Sequence, residues 1–134
     1  MRGKEDNRLQ RISHDVECAA QKFLQQRGLK LRQLNYRCRF GEIDIIASDA
    51  NSLIFVEVRY RRHHHFGGAS ASVTTAKQKK ILPSANYYFQ QRGESHVQCR
   101  FDVLSLSPRQ YSNMAQEPTN FHFQWIKNAF IAHE

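Results

Sequence analysis

Two carboxylates and a guanidinium flank a turn: Asp44 on one side, Glu57 and Arg59 on the other. The intervening Ser48-Asp49-Ala50-Asn51 has the composition of a tight turn. Leu53 to Tyr60 is rich in β-branched and aromatic residues, as a strand with a mostly buried face requires. Strands alternate their faces, so Glu42, Asp44 and Ile46 share one side of the first arm. Leu53, Phe55, Glu57 and Arg59 share one side of the second. With the turn centred between Ala50 and Asn51, Asp44 falls opposite Glu57 and Glu42 falls opposite Arg59. Like charges directly opposite one another destabilise a strand pair, and adjacent half-buried carboxylates resist ionising together. A hard divalent cation between them removes both objections. Mg²⁺ binds through one or two carboxylates plus substrate phosphate, and the Val58 carbonyl is placed to add another oxygen. Such a site polarises a phosphodiester or its attacking water. The same residues admit a plainer account, in which Asp44 caps or pairs with a Lys or Arg and Glu57 faces solvent. Glu42 and Arg59 would then form an ordinary cross-strand ion pair. A register slip of one residue would put the two acids on opposite faces, and spacing alone leaves both accounts standing.

The elements that must position these groups can be read from periodicity. Ile12, Val16, Ala19, Ala20, Phe23 and Leu24 recur at helical spacing. They predict a first helix over residues 14–27, with Ser13 as N-cap and Gly28 as the stop. Extended segments follow over roughly 30–38 and 42–48, with Gly41 between them, before the strand at 53–60. Arg61 to Ser72 is a basic, His- and Gly-rich loop, including His63-His64-His65. A second helix is expected from Thr74 or Thr75 to about Gln91, kinked or split at Pro83. A fourth strand spans Gln98 to Ser107, with Asp102 beside Arg100 as an ion-paired structural residue. Ser107 to Asn120 reads as surface loop, and Phe121 to Phe130 as a short strand followed by a helical turn around Trp125-Ile126. The order α-β-β-β-α-β describes an α/β protein, a mixed sheet with helices packed on it. Residues 1–12 are expected to be a flexible N-terminus and 13–134 a single domain.

At 134 residues, one domain burying roughly two thirds of its unfolded surface is expected. Twenty Lys and Arg against twelve Asp and Glu give a net charge of +8, which favours a polyanionic partner. The polar start has no apolar segment and no run approaches a membrane span, so nucleic acid is preferred over a membrane. Three scattered cysteines, Cys18, Cys38 and Cys99, read as reduced thiols packed among apolar neighbours in a cytoplasmic protein.

The blocks Gly41-Glu42-Ile43-Asp44-Ile45-Ile46 and Phe55-Val56-Glu57-Val58-Arg59-Tyr60-Arg61-Arg62 closely resemble the YraN family of uncharacterised bacterial proteins. The resemblance continues through Phe66-Gly67-Gly68-Ala69, Ser72-Val73-Thr74, Lys77-Gln78, Arg100-Phe101-Asp102-Val103 and Trp125-Ile126-Lys127. It covers nearly the whole chain from about residue 13. That family is similar in fold to the restriction-endonuclease-like, or PD-(D/E)xK, nucleases, among them archaeal Holliday-junction resolvases. The resemblance implies an acid on the first helix at Glu17, the first strand acid at Asp44, and the second at Glu57. A first-turn Glu favoured by the helix dipole is the plainer account of Glu17.

Arg59 stands where the superfamily usually has Lys. A Lys can lose its proton in a shifted environment, whereas Arg stays charged, so Arg59 suits a phosphate clamp better than a general base. Ser13 also replaces a Gly often seen in the first helix. Lys77 and Gln78 match the family's Lys-Gln at the start of the second helix, where a helix N-terminus favours anions. With Arg59, Arg61 and Arg62 they make up the expected nucleic-acid contacts, while Lys79 and Lys80 read as solvated surface. The implied protein is an Mg²⁺- or Mn²⁺-dependent endonuclease acting on DNA rather than RNA, on branched or repair intermediates. The alternative is a nucleic-acid-binding module of the same fold without turnover, and a homodimer is among the arrangements the sequence permits. A third class, a protein-interaction factor whose charge serves solubility, predicts no salt-dependent nucleic-acid binding.

Overall fold

The computed structural model describes residues 2–61, 75–93, 98–109 and 121–130. Two helices, α1 (Arg2–Gln26) and α2 (Thr75–Arg92), cover opposite faces of one five-stranded sheet. Its strands are β1 (Lys30–Cys38), β2 (Gly41–Ser48), β3 (Ser52–Tyr60), β4 (Gln98–Pro108) and β5 (Phe121–Phe130). They lie in sequence order, all neighbours antiparallel except β3 and β4, which run parallel. A parallel pair cannot be joined by a tight turn, and α2 lies within that crossover. The expected mixed α/β architecture is therefore present. Among the described residues no helix is long and apolar enough to cross a membrane.

Each face has its own core. On one side Ile81, Ala85 and Tyr88 of α2 pack on Tyr36, Ile43, Ile46, Leu53, Phe55, Phe101 and Val103. On the other Val16, Ala20 and Leu24 of α1 pack on Ile45, Ala47, Ile54, Val56, Leu104 and Leu106. β3 is thus apolar on both faces, which is what a central strand between two helical layers needs.

Local chemistry fixes the ends. Gly28, at φ 91°, stops α1 with two hydrogen bonds, Gly28 N to the Gln25 carbonyl and Leu29 N to the Leu24 carbonyl. Leu29 then packs in the same core as Leu24, completing a Schellman cap. At the β2–β3 turn the Asp49 carboxylate accepts from the amides of Asn51 (2.9 Å) and Ser52 (2.8 Å). This fixes the register at Ser48↔Leu53 through Ile45↔Val56, the register expected for a turn centred between Ala50 and Asn51.

Four local expectations need correction. α1 begins at Arg2, not at residue 14, and Ser13 lies inside it. Polar helix formers continue the helix without needing an apolar stripe. Pro83 sits within an unsplit helix, where the neighbouring Ser84 hydroxyl donates to the Lys80 carbonyl at 2.7 Å. Residues 121–130 form one strand rather than a strand and a helical turn. Phe121, Phe123 and Trp125 pack toward α1 but Ile126 and Ala129 toward α2, because β5 bulges opposite Asp102. That phase break mimics helical spacing. Finally, the cysteines are free, but Cys18 and Cys38 are only half-buried and Cys99 is exposed.

Candidate metal and phosphate site

The site lies where the β2–β3 ladder opens. Pairing stops at Ile45↔Val56, one position short of Asp44 and Glu57. The cause is a local twist shared by two strands. Ile43 and Ile46 face α2 while Ile45 and Ala47 face α1, so alternation breaks across Asp44. On β1, Tyr36 pairs with Ile43 and Leu34 with Ile45, which leaves Asn35 opposite Asp44. Asn35 takes the left-handed conformation, φ 50°, which Asn adopts more readily than most residues. The paired kink frees the Asp44 carboxylate from a fixed face and turns it into the gap between β2 and β3.

There Asp44 Oδ2 accepts the Val58 amide at 2.8 Å, replacing the ladder bond that β2 no longer supplies. A strand residue presents its N–H and C=O on the same edge, so the Val58 carbonyl also faces the opened side. Glu57, only 7% exposed, points to the α2 face, and its Oε2 receives the Lys77 ammonium at 3.3 Å. The two carboxyl groups are close enough for each to shift the other's titration. Burial and the neighbouring Asp44 push the Glu57 carboxyl up to about 7, with Lys77 opposing. Asp44 is also raised, chiefly by burial, against the pull of the Val58 amide and Lys77. The pair therefore holds a proton far more tightly than two solvated acids would.

Both acids open onto a cavity of about 600 Å³ between the β1–β2 turn and α2, rimmed by Arg37, Glu42, Lys77 and Lys80. Asp44 and Val58 also reach a second cleft of about 360 Å³ on the α1 side, lined by Glu17, Gln21, Asn35 and Tyr60 among others. The acid pair thus sits at the divide between two openings.

The expected site residues are brought together unequally. Asp44 and Glu57 meet as the register arithmetic requires, although the alternation behind that arithmetic does not hold at Asp44. Glu17 is exposed on α1 and borders only the α1-side cleft. Among the described residues no three of His, Cys, Asp and Glu converge. Glu42 does not pair with Arg59. The ladder has ended by that point, and Glu42 reaches back to Arg37 on β1 at 3.2 Å. Arg59 is half-buried two residues beyond Glu57 and is not among the residues lining the cavity. Burial and Arg61 pull its guanidinium below its ordinary range, with Glu57 opposing. Arg61 is exposed, its amide bonded to the Leu106 carbonyl at 2.8 Å. Gln78 is half-buried on α2. Arg62 and the three histidines lie outside the described residues.

The helix start places Lys77 against Glu57, an ion pair the sequence did not indicate. Lys80 and Arg37 join it at the cavity. The sequence singled out Lys77 through its Lys-Gln match but carried only basic composition for Lys80 and Arg37, because the convergence depends on how α2 crosses the sheet.

The family model described as Uncharacterised protein family UPF0102 matches residues 16–106. Relatives named UPF0102 protein span almost all of the chain. The one from Nitrosococcus oceani is 42% identical over 109 residues, 81% of this chain and 82% of its own length. That from Methylobacillus flagellatus is 38% identical over 124 residues, 92% of this chain and 100% of its own. That from Pseudomonas syringae pv. tomato is 40% identical over 124 residues, covering 90% and 93%.

Proposed function

We propose that this chain, which belongs to the uncharacterised protein family UPF0102, is a cytoplasmic nucleic-acid-binding protein whose Asp44–Glu57 site takes Mg²⁺ or Mn²⁺ and cleaves DNA phosphodiesters. The observation that carries the reading is the pairing of half-buried Asp44 with buried Glu57, both lining a cavity that also presents Arg37, Lys77 and Lys80. Removing two acids from water and setting them side by side is unfavourable unless a proton or a cation is shared. The donors are all hard oxygens, and too few to enclose a metal, so the set fits a cation that keeps positions for water and phosphate.

A divalent ion bound there would polarise a phosphodiester and acidify its attacking water. Asp44 and Glu57 would hold it, with the Val58 carbonyl as a third oxygen. The Val58 amide keeps Asp44 turned into the gap. Lys77 neutralises Glu57 in the absence of substrate and can turn to a phosphate or to the reacting water. Lys77 places a compact ammonium beside the pair where Arg59 at the strand position offers a planar guanidinium. Arg59 and Arg61 supply positive charge further along β3 for the polyanion.

The Arg59 position also favours a second reading, a module of this fold that binds nucleic acid without turnover. Cleavage of single-stranded, duplex, flap and four-way-junction DNA in Mg²⁺, Mn²⁺ or EDTA separates the two. Metal-dependent cleavage is expected, falling by ~10² or more in Asp44→Ala and in Glu57→Ala. Cleavage surviving both substitutions would sink the nuclease reading. Salt-sensitive binding with no metal-dependent cleavage would establish the inert module.

A further inference from the structure

The β1–β2 turn presents an aromatic surface at the edge of the acid cavity. Arg37 and Cys38 end β1, Gly41 begins β2, and all three line the cavity. Arg39 and Phe40 form the tip. Gly41 seats the turn on α2: its φ is 151°, and a Cβ there would lie 3.2 Å from Lys80 Cβ and 3.5 Å from Ser84 Oγ. Only a glycine allows so close an approach in that conformation. The turn is thereby held against the helix that carries Lys77.

From this seat Phe40 projects outward, 38% exposed, its ring centroid 5.8 Å from that of Tyr87 on α2. The Arg39 guanidinium lies 4.8 Å from the Phe40 centroid and 5.9 Å from the Tyr87 centroid. A lone exposed aromatic on a surface needs no explanation. This one is backed by a second ring, carries a guanidinium and adjoins a cavity rimmed by Arg37, Lys77 and Lys80. Surfaces that bind single-stranded nucleic acid combine a cationic track for phosphates with aromatic faces for bases. Paired bases are stacked on one another and offer no free face along a duplex.

We propose that Phe40, braced by Tyr87 and Arg39, is a stacking platform for an unpaired base whose strand runs through the Asp44–Glu57 cavity. It gives the proposed nuclease a substrate class: nucleic acid with a single-stranded segment at the reacting phosphate. It rests on the nucleic-acid reading above but needs neither metal nor turnover.

The test therefore separates binding from cleavage. Full-length protein carrying Asp44→Asn, in EDTA, is titrated into fluorescently labelled single-stranded and blunt duplex DNA of equal length, read by anisotropy. Adding Phe40→Ala should weaken single-strand binding about tenfold, the scale of one base–aromatic stack, and leave duplex binding within about twofold. Phe40→Leu, which keeps apolar packing on Tyr87 but loses the ring, should behave like Phe40→Ala; Phe40→Trp should retain binding. Unchanged single-strand binding in Phe40→Leu, or equal losses on both DNAs, overturns the platform while leaving the nuclease reading intact. No binding of either DNA before Phe40 is changed overturns both. Platform behaviour in a protein whose wild type never cleaves overturns only the nuclease.

Discussion

Two acidic sites in this molecule, buried Asp102 on β4 and the pair of half-buried Asp44 on β2 with buried Glu57 on β3, meet the same problem with opposite outcomes. Each sits where a ladder is disrupted opposite an asparagine in the left-handed conformation, Asn128 (φ 55°) for Asp102 and Asn35 (φ 50°) for Asp44. Asp102 is 1% exposed and its oxygens are surrounded by donors. Arg100 Nε reaches both oxygens at 3.0 and 3.1 Å, the Trp125 indole donates at 2.9 Å and the Asn128 amide at 3.0 Å. Its charge is matched and its bulge is tied down. Asp44 has one backbone donor at 2.8 Å, and beside it stands another acid whose cation, Lys77, is itself half-exposed. The chain can satisfy a buried carboxylate completely and does so on β4, one register position from Glu57. Beside the cavity it leaves two acids sharing what one would need, and perturbed acids in a cleft mark candidate chemistry.

The largest test of this contrast is Asp102→Asn. It removes the charge that matches Arg100 and disturbs the β5 bulge, and breaking a buried pair in this way costs about 3–5 kcal/mol. The melting temperature should fall by roughly 10 °C or more in a thermal scan. A loss below about 1 kcal/mol would show that Asp102 is not the anchor its donors suggest.

The pair should behave in the opposite sense. Glu57 titrates near 7 in the folded protein against an ordinary 4.5, so between those values the folded state holds a proton that the unfolded chain has released. Its stabilising contribution is complete below pH 4.5 and is lost as pH rises through 7, by at most about 3 kcal/mol. Asp44, also raised, adds in the same direction. Because other acids contribute their own slopes, the measured quantity is the difference between wild type and Glu57→Gln in urea unfolding without divalent metal. Glu57→Gln should be the more stable protein at pH 8 and lose its advantage by pH 5. Millimolar Mg²⁺ at pH 8 should stabilise wild type and not Glu57→Gln. A Glu57→Gln variant less stable at pH 8 would erase the distinction between the two sites.

Much of this geometry was legible because short-range chemistry sets it. Gly28 ends α1 through a cap that only its own neighbours complete, and Asp49 fixes the β2–β3 register through its own turn. The pairing of Asp44 with Glu57 follows from that turn. What the pattern hid are features decided across strands and layers. The alternation at Asp44 breaks because β1 and β2 twist together at Asn35, and no count along one strand contains that. β5 looked partly helical because its bulge around Asp102 shifts the apolar phase. Arg37 and Phe40 come beside Lys77 because α2 crosses the sheet at the β1–β2 turn, so their part was visible only as basic and aromatic composition, whereas Lys77 stood out through its Lys-Gln match but not as a partner of Glu57.

The smallest effect belongs to Glu42, two residues from Asp44 on the same strand and lining the same cavity. Its ion pair with Arg37 at 3.2 Å joins two largely exposed side chains, 61% and 79%. Water screens such a pair, and holding two long side chains together offsets most of the attraction. Glu42→Gln should therefore change unfolding free energy by less than about 0.5 kcal/mol at pH 8, with no change in the Mg²⁺ response. A change as large as that of Glu57→Gln would mean that any acid at this cavity behaves alike. The Asp44–Glu57 pair would then owe its character to the surrounding cations rather than to burial and proximity. A small response isolates burial and mutual proximity as what distinguishes the pair, since cavity and neighbouring cations are common to all three acids.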